Sequence, residues 1–211
     1  MIFRIKTTPL KRSKNESVIH RSVYITGRTL YDSRTGKYIP NHRTDVVWHE
    51  IFLPNNAPPG YEDLQTLAEA MESAEKRCNS RTARQYILNL PNTLPQITQI
   101  ELIRKFIKEN FVSRDLCVIA AIHDGKNNQD SRKNNPHVHI LVSTRPINGQ
   151  QFDKHKDRVL DSKEHLETLR LHWAEAQNHE FERFKLPYRV TAEKERPEER
   201  EHIHDSPERS R

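Results

Sequence analysis

At 211 residues the chain can bury one sizeable core with a short remainder, so one main domain is expected. No stretch approaches the roughly 18 to 20 uninterrupted apolar residues of a membrane span, and the N-terminus MIFRIKTTPLKR lacks the apolar segment of a signal peptide, so no membrane insertion is expected. The formal net charge of +6 suits a polyanionic partner, and the two cysteines, Cys78 and Cys117, are too few for a disulfide framework and point to a reducing cytoplasm.

Charge is unevenly distributed. Residues 1–43 carry ten Lys/Arg against only Glu16 and Asp32, a local charge of +8. Residues 191–211 mix acidic and basic side chains with almost nothing apolar, and read as a charged, disordered tail or linker behind a domain of residues 1–190.

In chain order, Phe3 to Thr7 alternates as a strand does, and a polar turn follows. Ser17 is a plausible N-cap and Gly27 a plausible terminator for a short helix that carries Tyr24. The segment 31–38 reads as a turn around Gly36, and Val46 to Leu53 as a strand. After a proline-rich loop, Asp63 caps a helix expected to run to about Cys78. On its wheel Glu75 falls inside the apolar stripe and Glu72 at the edge, so a carboxylate faces inward and needs a partner or a purpose.

Gln85 to Leu90 reads as a strand, and an amphipathic helix follows with Ile97, Ile100, Ile103, Phe106, Ile107 and Phe111 on one side. Val118 to Ile122 is a strand with His123 at its end. A long polar loop leads to the strand beginning His137-Val138-His139-Ile140-Leu141, and a last helix spans about Asp161 to Phe184. The pattern is α+β, a central mainly antiparallel β-sheet with helices packed on its faces. Its simplest form puts Val118, Ala120, Ile122, Val138, Ile140 and Val142 toward helices and leaves the three imidazoles on an open or cleft side.

One intervening residue sends His137 and His139 to the same face of a strand, and a hairpin with the preceding strand could add His123. Neutral imidazole suits Mn, Fe, Co, Ni, Cu or Zn, so ligand type leaves the ion open. Three histidines leave coordination positions for a substrate, which favours a catalytic over a closed structural site. The competing reading is a polar surface strand with incidental histidines, as fits His202 and His204 in the tail.

The run Ala121-Ile122-His123-Asp124 followed by Asn135-Pro136-His137-Val138-His139-Ile140-Leu141 resembles the histidine motif of the MobA/MobL conjugative relaxases, within the HUH endonuclease superfamily. Ser17 to Gly27, Asp32 to Tyr38, Leu53 to Pro58, Glu72 to Arg77 with Ala83-Arg84, and Leu169-Arg170 with Trp173-Ala174 extend the likeness over about residues 1–190. The segment before Tyr24 is less alanine-rich than usual in that family, and the interval between His123 and His137 is longer than typical.

The resemblance implies that Tyr24 attacks a phosphodiester of single-stranded DNA at a transfer origin, leaving a 5′-phosphotyrosine, while His123, His137 and His139 hold a divalent metal, Mn²⁺ or Mg²⁺. An ordinary phenol, with a pKa near ~10, is ionised in about one molecule in a thousand at pH 7, so a base or a nearby cation must assist. Glu75 is a candidate catalytic residue as a base, as a partner to a histidine, or as an ion partner of Arg84. Arg4, Lys6, Lys11, Arg12, Arg21, Arg28 and Arg84 are the candidate DNA phosphate contacts. Relaxosome accessory proteins and a type IV secretion coupling protein are the further partners that the resemblance brings. A rolling-circle replication initiator or single-strand transposase of the same superfamily, a DNA-binding accessory protein without catalysis, and a metal-dependent hydrolase using water are the alternatives.

Overall fold

The strands β1 (Ile5–Lys11), β4 (Val46–Phe52), β5 (Arg81–Asn89), β6 (Val118–His123) and β7 (His137–Ser143) form one sheet in the order β1-β5-β7-β6-β4. Every neighbouring pair is antiparallel. The structure, a computed structural model, describes residues 3–126 and 134–192. The expected tail lies outside them apart from its first two positions, as does the middle of the polar loop before β7. Pro9 sits on β1, an edge strand, where a missing N–H is tolerated.

Both faces of the sheet are covered. Val118, Ala120, Ile122, Val138, Ile140 and Val142 pack with Ile103, Phe106 and Ile107 of α3 (Gln96–Asn110), and with Leu169 and Trp173 of α4 (Lys163–Arg183). Against the other face, α1 (Val18–Thr26) and α2 (Leu64–Ser73) bring Val18, Ile19, Val23, Leu67, Ala68 and Met71 onto Ile119, Ala121 and Leu141. Helices thus lie on both faces as expected, and of the open or cleft side expected for the imidazoles, the fully open form is excluded. Ile119 and Leu141 share that face with the imidazoles, and leaving such side chains bare would forfeit roughly 1.5–3 kcal/mol each.

The caps of α1 are those expected, with Ser17 Oγ accepting the Ile19 N–H and Gly27 in the left-handed region at φ +69°. The second helix stops at Ser73, well short of Cys78. The Arg12 guanidinium donates to the Glu72 carbonyl oxygen in the last turn, which the Ala74 and Glu75 N–H groups also reach, and to the Glu75 carbonyl oxygen just beyond the helix. In α3, Ile97 is exposed rather than part of the buried stripe.

Two short hairpins join these elements: β2 (Leu30–Asp32) with β3 (Lys37–Ile39), turning at Gly36, and β8 (Ile147–Asn148) with β9 (Gln151–Phe152). Among the described residues no helix is long and apolar enough to cross a membrane.

Candidate active site

The sheet register assembles the histidines. His123 on β6 lies directly opposite His137 on β7, and His139 stands opposite Ala121 in the next row on the same face. Ring centroids are 4.4 Å apart for His123 and His139, 5.0 Å for His137 and His139, and 5.4 Å for His123 and His137. One ligand atom from each lies within 4.8 Å of the other two, close enough for one metal ion.

The hydrogen bonds leave one nitrogen of each ring available to that space. His123 Nε2 donates to the Ile25 carbonyl at 2.9 Å, and its Nδ1 is buried without a hydrogen-bond partner. His137 Nδ1 donates to the Asn135 carbonyl at 2.9 Å, which leaves Nε2. His139 Nδ1 lies 2.6 Å from Gln85 Nε2, and its own Nε2 is buried and unpartnered. Rotating the Gln85 amide by 180°, which exchanges its nitrogen and oxygen, lets the oxygen accept Nδ1–H and leaves His139 Nε2 its lone pair.

Two orphaned nitrogens in a buried cluster are a cost to the fold unless something binds them, so this donor set fits a cation. Burial pushes the His139 pKa down to about 2, helped by the neighbouring histidines. Burial also lowers that of His123 against the opposing Ile25 hydrogen bond. Both imidazoles therefore stay neutral and able to ligate near neutral pH.

Tyr24 stands over this cluster. α1 turns Val23, Ile25 and Thr26 inward, while the Tyr24 side chain remains 43% exposed. Its ring meets His139 edge-on at 5.8 Å and His123 at 5.9 Å. The N-terminus of the helix is tied down by Glu72, whose carboxylate accepts the Val18 N–H at 2.7 Å, a favourable charge for that end of the helix.

Three residues missed by the sequence reading converge here. The Arg43 guanidinium lies 4.5 Å from the Tyr24 ring centroid and donates to Asp45. Asp45 stands 4.0 Å from His123 Nδ1, and Gln85 supports His139 from β5. Registering Val46 against His123 would have brought Asp45 into view; for Arg43 and Gln85 the sequence offers no comparable signal.

Glu75 is placed elsewhere. Its carboxylate accepts from Thr144 Oγ1 at 3.1 Å and Arg145 Nε at 2.7 Å and pairs with Lys156 at 3.0 Å, and none of the three histidines bonds it. Thr144 lies just past the end of β7 remote from His137, five residues beyond His139, or roughly 16 Å along an extended chain. Nor does it pair with Arg84, which bonds Asp161 and Thr7. Glu75 is thus a buried structural anchor between the end of α2 and the β8–β9 region.

Burial opposes its charge, but the hydrogen bonds and charges of Arg145 and Lys156 outweigh it and hold its carboxyl below the usual carboxylate range. Glu75→Gln is therefore expected to lower the unfolding free energy by about 3 kcal/mol at neutral pH, because two cations lose a buried partner. Since the folded-state pKa is depressed, this contribution is present above the unfolded value near ~4.5 and fades as pH falls through the folded one. Denaturant midpoints of wild type and variant should converge in acid; a constant gap would show that packing, not charge, is lost.

The basic residues divide as well. Arg12 is spent on Glu72 and the α2 carbonyls, and Arg84 on Asp161, with only 11% of its side chain exposed, so neither is free for phosphate. Lys11 ends β1 beside Arg81, at the sheet end away from the histidines. Arg21 lies 5.9 Å from the Tyr24 ring, and Arg28 follows Gly27 and donates to His49 Nε2 at 3.2 Å. Lys6 pairs with Ile87, which pairs with His139, so exposed Lys6 shares the histidine face two strands away, about 10 Å. Arg4, also exposed, accepts the Asn89 N–H at its carbonyl, and Asn89 lies opposite His137.

The chain is 29% identical over 147 residues to a probable mobilization protein MobA from Bifidobacterium longum, covering 69% of this chain and 25% of that protein. It is 24% identical over 162 residues to the conjugal transfer protein TraA of Rhizobium radiobacter, covering 72% of this chain and 14% of the relative. The chain thus spans a quarter or less of these curated relatives. A structure solved for the molecular basis of vancomycin resistance transfer in Staphylococcus aureus superposes with a TM-score of 0.81 over 92% of this chain and all of the other, at 23% identity, and so shares the fold. The MobA/MobL family model matches residues 16–208, nearly the whole chain, and the protein belongs to that family.

Proposed function

We propose that this domain nicks and rejoins one DNA strand at the transfer origin of a plasmid or other mobile element, with Tyr24 as the nucleophile. The observation that carries the reading is the exposed Tyr24 ring packed edge-on against His123 and His139, in a chain of the MobA/MobL family. The relatives' names, mobilization and conjugal transfer, point the same way.

Tyr24 Oη forms the bond to phosphorus, and the 3′ oxygen departs and takes up a proton. The products are a 5′-phosphotyrosine and a free 3′-hydroxyl. Because the phosphoester is exchanged rather than hydrolysed, attack by a 3′-hydroxyl on the adduct rejoins a strand and releases Tyr24. A divalent cation such as Mn²⁺ or Mg²⁺, held by His123, His137 and His139, would supply Lewis acidity and counter-charge at the scissile phosphate. The rest falls to the chain itself. Arg43 offsets negative charge at the phenol, and Arg21, Arg28, Lys6 and Arg4 attract the DNA backbone in a salt-dependent way.

Single-stranded oligonucleotides that include candidate transfer-origin sequence, incubated with the protein and Mn²⁺ or Mg²⁺, should give an adduct that survives denaturing electrophoresis. Cleavage without an adduct would assign the attack to water, and binding without cleavage would leave a DNA-binding accessory protein.

A further inference from the structure

The β2–β3 hairpin is an excursion from the catalytic tyrosine and back to it. The chain leaves α1 at Gly27, turns at Gly36, and returns at Arg43, whose guanidinium covers the Tyr24 ring. Tyr31 and Tyr38 are cross-strand partners on this hairpin, with ring centroids 5.1 Å apart and exposures of 37% and 72%. Two aromatic rings side by side in water forgo the burial such rings usually gain, which marks a surface that something covers.

Resting on the relaxase reading, we propose that Tyr31 and Tyr38 form a base-stacking platform for single-stranded DNA entering or leaving the site. The hairpin is held rigidly for this. Leu30 is buried in the α1/α2 core, and buried Asp32 bonds Arg34 and faces His20 at 3.4 Å. Gln65 of α2 takes both the Tyr31 N–H and the Tyr31 carbonyl at 2.8 Å each. Those bonds occupy the backbone groups that an added peptide strand would need at Tyr31, and so favour a partner read through side chains.

Charge selects the class of partner. Residues 28–43 carry Arg28, Arg34, Lys37 and Arg43; Arg34 pairs with Asp32 and Glu72 and Arg43 with Asp45, so Arg28 and Lys37 are the cations beside the rings that no carboxylate claims among the described residues. Cations on both sides of exposed rings suit a phosphate backbone whose unpaired bases can stack, and stacking tolerates any base. Each of the two strands is three residues long, with Tyr31 and Tyr38 at their middle positions.

The test compares wild type with the double variants Tyr31→Ala/Tyr38→Ala and Tyr31→Phe/Tyr38→Phe, by fluorescence anisotropy with a labelled homopyrimidine oligonucleotide across a salt series. The alanine pair should bind about 5- to 30-fold more weakly with an unchanged salt slope, while the phenylalanine pair stays near wild type. Circular dichroism verifies that the exposed substitutions leave the fold intact, and Tyr38→Ala alone serves if the pair does not fold. Wild-type affinity in the alanine variants would overturn the platform and leave the relaxase reading standing. Equal loss in the phenylalanine pair, or equal loss for duplex DNA, would also overturn it. Absence of single-strand binding by wild type would defeat the relaxase reading itself.

Discussion

Tyr24→Phe is expected to abolish the covalent protein–DNA adduct, reducing its formation to below about one thousandth of wild type while single-strand affinity changes little. The substitution removes one oxygen from a side chain that is 43% exposed, so the ring contacts with His123 and His139 and the Arg43 stack persist. Among the described residues no other tyrosine packs against the histidines. Tyr31 and Tyr38 sit on the hairpin, Tyr61 packs on Phe152, Tyr86 is fully buried against Phe111, and Tyr188 packs on Phe181. Quantitative gel analysis of adduct against free oligonucleotide is the measurement. An adduct formed by Tyr24→Phe at the wild-type rate would move the nucleophile to another side chain.

The second large effect concerns the histidines. His137→Ala and His139→Ala should each lose cleavage by roughly 100-fold or more and weaken Mn²⁺ binding in calorimetry, while retaining most of the DNA affinity. The two variants separate function from folding. His139 is 3% exposed, and its removal leaves Gln85 without its partner in the interior, whereas His137 lies on the partly exposed rim and its loss should barely affect stability. Wild-type cleavage by either variant would mean that the three imidazoles do not act as one ligand set. Loss of cleavage in His139→Ala with a large fall in melting temperature, and none in His137→Ala, would reduce the cluster to a structural role.

Much of the constellation could be read locally. A strand repeats every two residues, so the single residue between His137 and His139 put both on one face, and the antiparallel register placed His123 opposite His137 as a hairpin would. Ser17 and Gly27 delimited α1 because capping depends on the residues at the helix ends. The resemblance to the MobA/MobL family ordered these pieces. Without it, nothing in the composition singled out Tyr24 among six tyrosines.

What failed to be legible depends on contacts between distant residues. Wheel geometry sent Glu75 inward correctly, but α2 ends before it, and its cations Arg145 and Lys156 lie some seventy to eighty positions away in the sequence. Arg12 and Arg84 looked like phosphate ligands until Glu72 and Asp161 claimed them. The covering of the imidazole face by α1 and α2, the bond from His123 to the Ile25 carbonyl 98 residues earlier, and the meeting of Arg43, Asp45 and Gln85 around the cluster all follow from packing. Periodicity and capping are properties of neighbours along the chain, so the sequence by itself determined where the five strands of the main sheet lie, the ends of α1 and the shared face of the histidines. Which charges are neutralised and which imidazole nitrogens stay free depends on residues brought together by the sheet, and only the tertiary structure decided it.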